Sequence, residues 1–126
     1  MRLNVNETHI RGRVGGKKGT TLEMQTSKNG NSYVPFSVGV NNNYKTASGD
    51  WVKEVDWFQC VAFGDEAESI VRHGIGSGSF VDVTGRMTSS SGEPIKTDKG
   101  ERSVEYWSLR VRECVPVTYV GKPSDD

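Results

Sequence analysis

Long apolar runs are missing from this sequence. Only 33% of its 126 residues are hydrophobic, and no stretch approaches the roughly 20 apolar residues that a membrane-spanning helix needs. Neither a signal peptide nor a transit peptide is legible at the start. Asn6-Glu7-Thr8 fits the glycosylation pattern, but without a secretory signal it carries no weight. Cysteine is scarce too: Cys60 and Cys114 are the only two, in no Cys-x-x-Cys pair and near no second His/Cys pair, so zinc has no ligand set. Both fall among bulky residues in predicted strands, where buried, reduced thiols are expected. Net charge is absent, with 16 Lys/Arg against 16 Asp/Glu, and on its own this argues neither for nor against nucleic acid. No phosphate loop is present. A pattern starting at Gly12 would need glycine where Lys17 stands, and Gly74-Ile75-Gly76-Ser77-Gly78 follows a helix instead of opening one. No metal and no cofactor is expected, and the default is a soluble, cytoplasmic protein.

What is present is glycine, 15 residues of it, and an uneven spread of charge. Residues 1–53 hold eight Lys/Arg against three Asp/Glu, and residues 54–126 hold eight against thirteen. A basic face is possible without a basic protein.

Strand signals dominate the chain. Thr8 to Val14 alternates, with Ile10 and Val14 on one side and His9, Arg11 and Arg13 on the other. The basic loop of Lys17 and Lys18 follows. Leu22 to Thr26 reads as a short strand, and Lys28-Asn29-Gly30-Asn31 as a hairpin turn with positive φ at both central residues. The returning strand puts Val34, Phe36, Val38 and Val40 inward, with Tyr33, Pro35, Ser37 and Gly39 outward. Asn41 to Lys53 reads as a mobile loop or a projecting hairpin carrying Tyr44, Lys45, Trp51 and Lys53. Val55 to Gly64 is the densest strand, and Asp65 to His73 the one helix, with Asp65 as its cap and Gly74 as its end. Phe80 to Met87 is a strand, Ser89 to Gly100 a long polar loop with Lys96 and Lys99, and Val104 to Cys114 the last long strand. Trp107 shares a face with Leu109 and Val111 and is expected in the core.

This order predicts an all-β domain with one short helix: a five-stranded OB-fold Greek-key barrel with a long hairpin between its second and third strands. The domain spans 1–114, and 115–126 are a short extension and a fraying tail. In the densest strand Phe58, Cys60 and Ala62 suit a core. The other face carries Trp57, Gln59, Val61 and Phe63, two large aromatics about 20 Å apart at roughly 3.3 Å per residue. In OB barrels the face of strands 2–3 and the loops 1–2 and 4–5 bind oligonucleotides and oligosaccharides. Lys17 and Lys18 occupy the first of those loops, and Lys96 and Lys99 the second.

The chain resembles bacterial and bacteriophage single-stranded DNA-binding proteins. The resemblance rests on Ile10-Arg11-Gly12-Arg13-Val14-Gly15, Phe36-Ser37-Val38, Asp56-Trp57-Phe58, Val61-Ala62-Phe63-Gly64, Ala67-Glu68 and Val81-Asp82-Val83-Thr84-Gly85-Arg86-Met87, and covers residues 5–114. It implies sequence-nonspecific binding of single-stranded DNA in replication, recombination or repair by a homotetramer or homodimer, in a bacterial cell or at its nucleoid. It also implies stacking by Trp57, Phe63 and Tyr44. The family's tryptophan after the fourth strand has no counterpart in Met87–Gly92, and Trp51 is the available substitute. Phosphate and polar contacts are assigned to Lys17, Lys18, Lys45, Lys53, Gln59, Arg86, Lys96 and Lys99. The last residues, Lys122-Pro123-Ser124-Asp125-Asp126, hold two acids and no terminal aromatic, so tail-mediated recruitment of other proteins is not expected. The competing reading is an OB module for protein–protein assembly in a primosome or recombination complex. A hydrolase is disfavoured, because Glu66 and Glu68 are explained by the helix dipole.

Overall fold

The computed structural model describes residues 3–118, with backbone alone for 91–97 and 101–104. Among the described residues the order is β1 (Thr8–Val14), β2 (Gln25–Thr26), β3 (Ser32–Asn41), β4 (Tyr44–Lys45), β5 (Trp51–Val52), β6 (Val55–Phe63), α1 (Gly64–Arg72), β7 (Phe80–Thr97) and β8 (Gly100–Pro116).

The sheet runs β1-β7-β8-β6-β3, and β1 returns to β3 through Arg13 opposite Gly39 and Val14 opposite Val38. Five strands therefore close on themselves, which removes the open edges of the sheet. Short β2 lies along β3. β6 and β8 are parallel, with Cys60 beside Leu109 and Val61 beside Arg110. A closed five-stranded barrel with one helix between the third and fourth barrel strands is the OB fold.

Alternation explains the interior. Ile10 and Val14 of β1, Val34, Phe36 and Val38 of β3, Cys60 and Ala62 of β6, Val81 and Val83 of β7, and Leu109 and Val111 of β8 are all buried. Helix α1 packs Ala67 and Ile70 against β3, β6 and β8, and Ile75 follows them inward. Gly74 ends the helix in the left-handed region, at φ 66°, a conformation glycine adopts without steric strain. No helix among the described residues is long and apolar enough to cross a membrane. Both thiols are free and buried. Burial, reinforced by the neighbouring Cys114, pushes Cys60 up to about 12. Burial, reinforced by the Asp82 charge, pushes Cys114 up to about 11.

Several expectations need correction. Ser89 to Gly100 is no loop: β7 and β8 stay paired from Met87–Leu109 out to Thr97–Gly100, forming a two-stranded arm beyond the barrel. Its ladder comes from backbone groups, so its polar side chains gave no strand signal. Trp107 lies on that arm opposite Ser89 and is 58% exposed. It does share a face with Leu109, but the core ends before reaching it. Asp65 makes no cap hydrogen bond; the helix starts at Gly64 after an uncapped Phe63, with Asp65 and Glu66 in its first turn. At the β2–β3 turn only Gly30 takes positive φ, 82°. Ser27 and Asn31 close that turn, with the Ser27 N–H donating to the Asn31 carbonyl at 2.8 Å, so Asn29 never needs the left-handed region.

The stretch predicted as Leu22–Thr26 reduces to Gln25–Thr26, with Thr21 bridging to Gly76. At the other end, the Val117 N–H donates to the Phe80 carbonyl at 2.8 Å, carrying the chain just past β8. The expected fraying tail, 121–126, lies outside the described residues.

Candidate nucleic-acid interface

The outward rows of β3 and β6 face each other residue for residue: Tyr33 with Phe63, Pro35 with Val61, Ser37 with Gln59, and Gly39 with Trp57. Trp57 stands at one end of this surface, 58% exposed. Its ring has a seat. A Cβ added at Gly39 would stand 2.9 Å from Trp57 Cζ3, and one added at Gly15 would stand 2.7 Å from the same atom. Two glycines from β3 and the end of β1 thus leave room for the indole to lie close over the backbone, which also explains why Gly39, outward by pattern, is buried. The Gly15 N–H donates to the Ser37 carbonyl at 2.9 Å, holding the seat together. A ring held in this way loses less rotamer entropy on meeting a flat ligand than a free one does. Gly39→Ala is expected to leave the fold intact and push the indole off its seat. The shift should appear as a changed tryptophan emission maximum, with a loss of oligo-dT affinity smaller than the roughly 1–3 kcal/mol of a full stacking contact.

Phe63, at the other end, is half-buried. Tyr33 lies beside it with ring centroids 6.2 Å apart, and the Arg110 guanidinium covers it at 4.7 Å. Arg110 reaches this ring because β8 runs parallel to β6 one strand away. Arg86 faces Arg110 directly across β7–β8. Gln59 and Arg86 are exposed, as expected.

The remaining assignments scatter. Lys17 and Lys18 are exposed in the loop that follows Gly15, one of the two glycines under the indole. Tyr44 pairs with Val52, and Lys45 with Trp51, on the β4–β5 hairpin. Direct partners share a face and neighbours do not, so Tyr44 and Trp51 point to opposite sides. Tyr44 donates its hydroxyl to Glu54 Oε1 at 3.2 Å. The Glu54 charge, and that bond, hold the phenol above its ordinary range. Trp51 is 68% exposed, and Lys45 and Lys53 are exposed as well. Lys99 is exposed at the arm's turn, roughly 30 Å of strand from where the arm leaves the barrel. Lys96 is in the same arm, its backbone paired with Glu101, and its side chain lies outside the described residues. The Lys96/Lys99 segment is therefore an arm tip and not a loop beside Trp57.

Sequence reading passed over four residues. Tyr33 was outward by pattern and became significant only through its register with Phe63. Arg110 gained its place from a parallel pairing that no local pattern reveals. Trp107 and Tyr106, both exposed, supply aromatics opposite Ser89 and Ser90, across from the segment where none was found. Trp107 is thus exposed and not in the core, where its shared face with Leu109 and Val111 placed it.

Other chemistry is thin. Asp82 accepts from His9 Nε2 at 2.6 Å and from Arg11 Nε at 2.9 Å on the outer face of β1–β7. Burial alone would raise its carboxyl, but the bonds and charges of Arg11 and His9 outweigh it and hold the group below the usual carboxylate range. Among the described residues no cluster of His, Cys, Asp or Glu could hold a metal ion.

The closed five-stranded barrel, with Trp57 exposed on its β3–β6 face, belongs to the class of OB barrels, whose known sites on that face take oligonucleotides and oligosaccharides. Comparison with known proteins narrows this. The single-strand binding protein family matches residues 5–108. A mitochondrial single-stranded DNA-binding protein of Drosophila melanogaster is 32% identical over 84 residues, 67% of this chain and 54% of that protein; the chain thus spans about half the length of this curated relative. Among solved structures, the Plasmodium falciparum SSB in complex with ssDNA superposes with a TM-score of 0.71 at 14% identity, over 94% of this chain and 99% of that one. A deletion mutant of the Thermus aquaticus single-stranded DNA-binding protein gives a TM-score of 0.67 at 16% identity, over 90% of this chain and 51% of that one. The chain belongs to the single-strand binding protein family.

Proposed function

We propose that this chain binds single-stranded DNA without sequence preference and coats it during replication, recombination or repair. The observation that carries the reading is the exposed Trp57 indole, seated on Gly15 and Gly39 at one end of the β3–β6 face. A flat, pre-positioned ring suits any base, because every base has a π face. Lys17 and Lys18 follow the seat in sequence and supply charge for the backbone; Lys45, Lys53 and Lys99 extend that charge over the β4–β5 hairpin and the arm. Tyr44 and Trp51, on opposite sides of their hairpin, serve separate nucleotides or separate subunits. The binding species is a homotetramer or homodimer, and it works where DNA is copied. Its role is binding, not catalysis.

Adding oligo-dT of about 30 nucleotides should quench the intrinsic tryptophan fluorescence, and the effect should weaken with salt as counterions are released. Mass measured in solution with and without the oligonucleotide gives the subunit number. No change in fluorescence or mass at low salt would sink the reading.

A further inference from the structure

At the root of the β7–β8 arm a single side chain stands in for a strand. The β1–β7 ladder ends with Thr8 opposite Gly85, and continuing that register would set Asn6 opposite Met87. The β1 backbone does not continue, because the strand starts at Thr8. The Asn6 amide takes its place. Its Nδ2 donates to the Met87 carbonyl at 2.8 Å, and its Oδ1 accepts from the Met87 N–H at 3.1 Å. A carboxamide offers the same donor and acceptor as a peptide group, so the pair reproduces one rung of an antiparallel ladder.

Met87 is a sensitive place for that rung. It is half-buried against the core, and beyond its pairing with Leu109 the two strands run out as the arm to Thr97 and Gly100. On the barrel side the β7–β8 register shifts between Thr84 and Gly85, and an irregularity of this kind bends a strand. Between that bend and the arm, the Asn6 amide holds the outer edge of β7. The leverage is large: with about ten residues at roughly 3.3 Å each, a tilt of about 10° at Met87 moves the arm's turn by about 5 Å. The arm has something to aim. Arg110 neighbours Val61 of β6, so alternation along β8 puts Tyr106 on the side of the sheet that carries Trp57. Tyr106 is exposed, as is Lys99 at the turn.

We propose that Asn6 is a positioning residue, a clasp that fixes the angle at which the arm leaves the barrel and so aligns the arm with a strand bound at Trp57. Asn6 itself touches no ligand. The inference rests on the single-stranded DNA reading, and it ties the clasp to the length of the bound strand. A short oligonucleotide at Trp57 never meets the arm, and a long one does.

The test uses the full chain. Asn6→Leu keeps the size of the side chain and removes both hydrogen bonds without adding charge, and Asn6→Ala is the second variant. Hydrogen exchange at the Met87 amide should quicken about tenfold in both, as for the loss of one hydrogen bond. Val83, fully buried and paired on both sides, should stay protected, which shows that the barrel is intact. Spin labels on Lys99→Cys and Glu68→Cys, at two exposed positions, report the arm's angle in a separate labelled chain whose native thiols are buried. The distance distribution should broaden when the clasp is removed. Oligo-dT of about 30 nucleotides should bind the variants about fivefold more weakly, the lower figure for one stacked base, while oligo-dT of about 5 nucleotides, near the smallest OB site, binds equally well. An unchanged label distance, or equal losses on both lengths, overturns the clasp. If the wild-type chain binds neither oligonucleotide the DNA reading falls, and the label distances alone then uphold or overturn the clasp.

Discussion

Trp57→Ala is expected to weaken oligo-dT binding by a factor of roughly 5 to 150, the equivalent of about 1–3 kcal/mol for one stacked base. The change should leave the salt dependence of binding unaltered, because the lysines and arginines that displace counterions are untouched. Those two signs together separate stacking from charge. The fold should tolerate the loss: the ring is 58% exposed, so most of its surface is already in water and little burial is forfeited on folding. Anisotropy of a labelled oligonucleotide is the suitable readout, since the protein's own fluorescence changes when a tryptophan is removed. If affinity holds while a complex with another protein is lost, the face serves assembly and the competing reading takes over. Phe63→Leu is no equivalent test, because Arg110 already covers one face of that ring.

The contrast between the two ends of the same strand shows what a sequence reveals and what it hides. Period-2 alternation placed Trp57 and Phe63 outward and Cys60 and Ala62 inward, and the structure agrees, with the latter two buried. The inner rows of β1 and β3 were equally plain, and so was the strand–helix–strand order that defines the barrel. Hidden were the features that depend on pairing between distant strands. Gly39 reads as outward until Trp57 is seen to cover it. Arg110 reads as a solvated charge until the parallel β6–β8 register sets Val61 beside it. The arm was missed for a related reason. A two-stranded ribbon without a core to cover has no need of apolar alternation, so Ser89-Ser90-Ser91-Gly92 looked like a loop although its backbone is fully in register with β8 as far as Gly92. Periodicity reports the face of a residue, and the end of the core has to come from the fold.

That distinction can be measured on two neighbours. Leu109→Ala is expected to remove about 2–5 kcal/mol of stability, the range for truncating a buried leucine in a core that cannot fully collapse. Leu109 is fully buried, is flanked by Cys60 on β6 and Met87 on β7, and lies where those two strands meet β8. It also closes over Gly85, whose added Cβ would stand 2.8 Å from Leu109 Cδ2, so the void would open beside the register shift between Thr84 and Gly85. Trp107→Ala, two residues away on the same face, removes a larger side chain but should change stability by no more than about 0.5 kcal/mol, because that ring sits on the arm and is 58% exposed. Urea unfolding gives both values, and an unchanged m-value shows that the unfolded states are comparable. A Trp107→Ala variant as unstable as Leu109→Ala would mean that the arm folds back into the barrel, and Trp107 would then be a core residue with no surface left to offer a base.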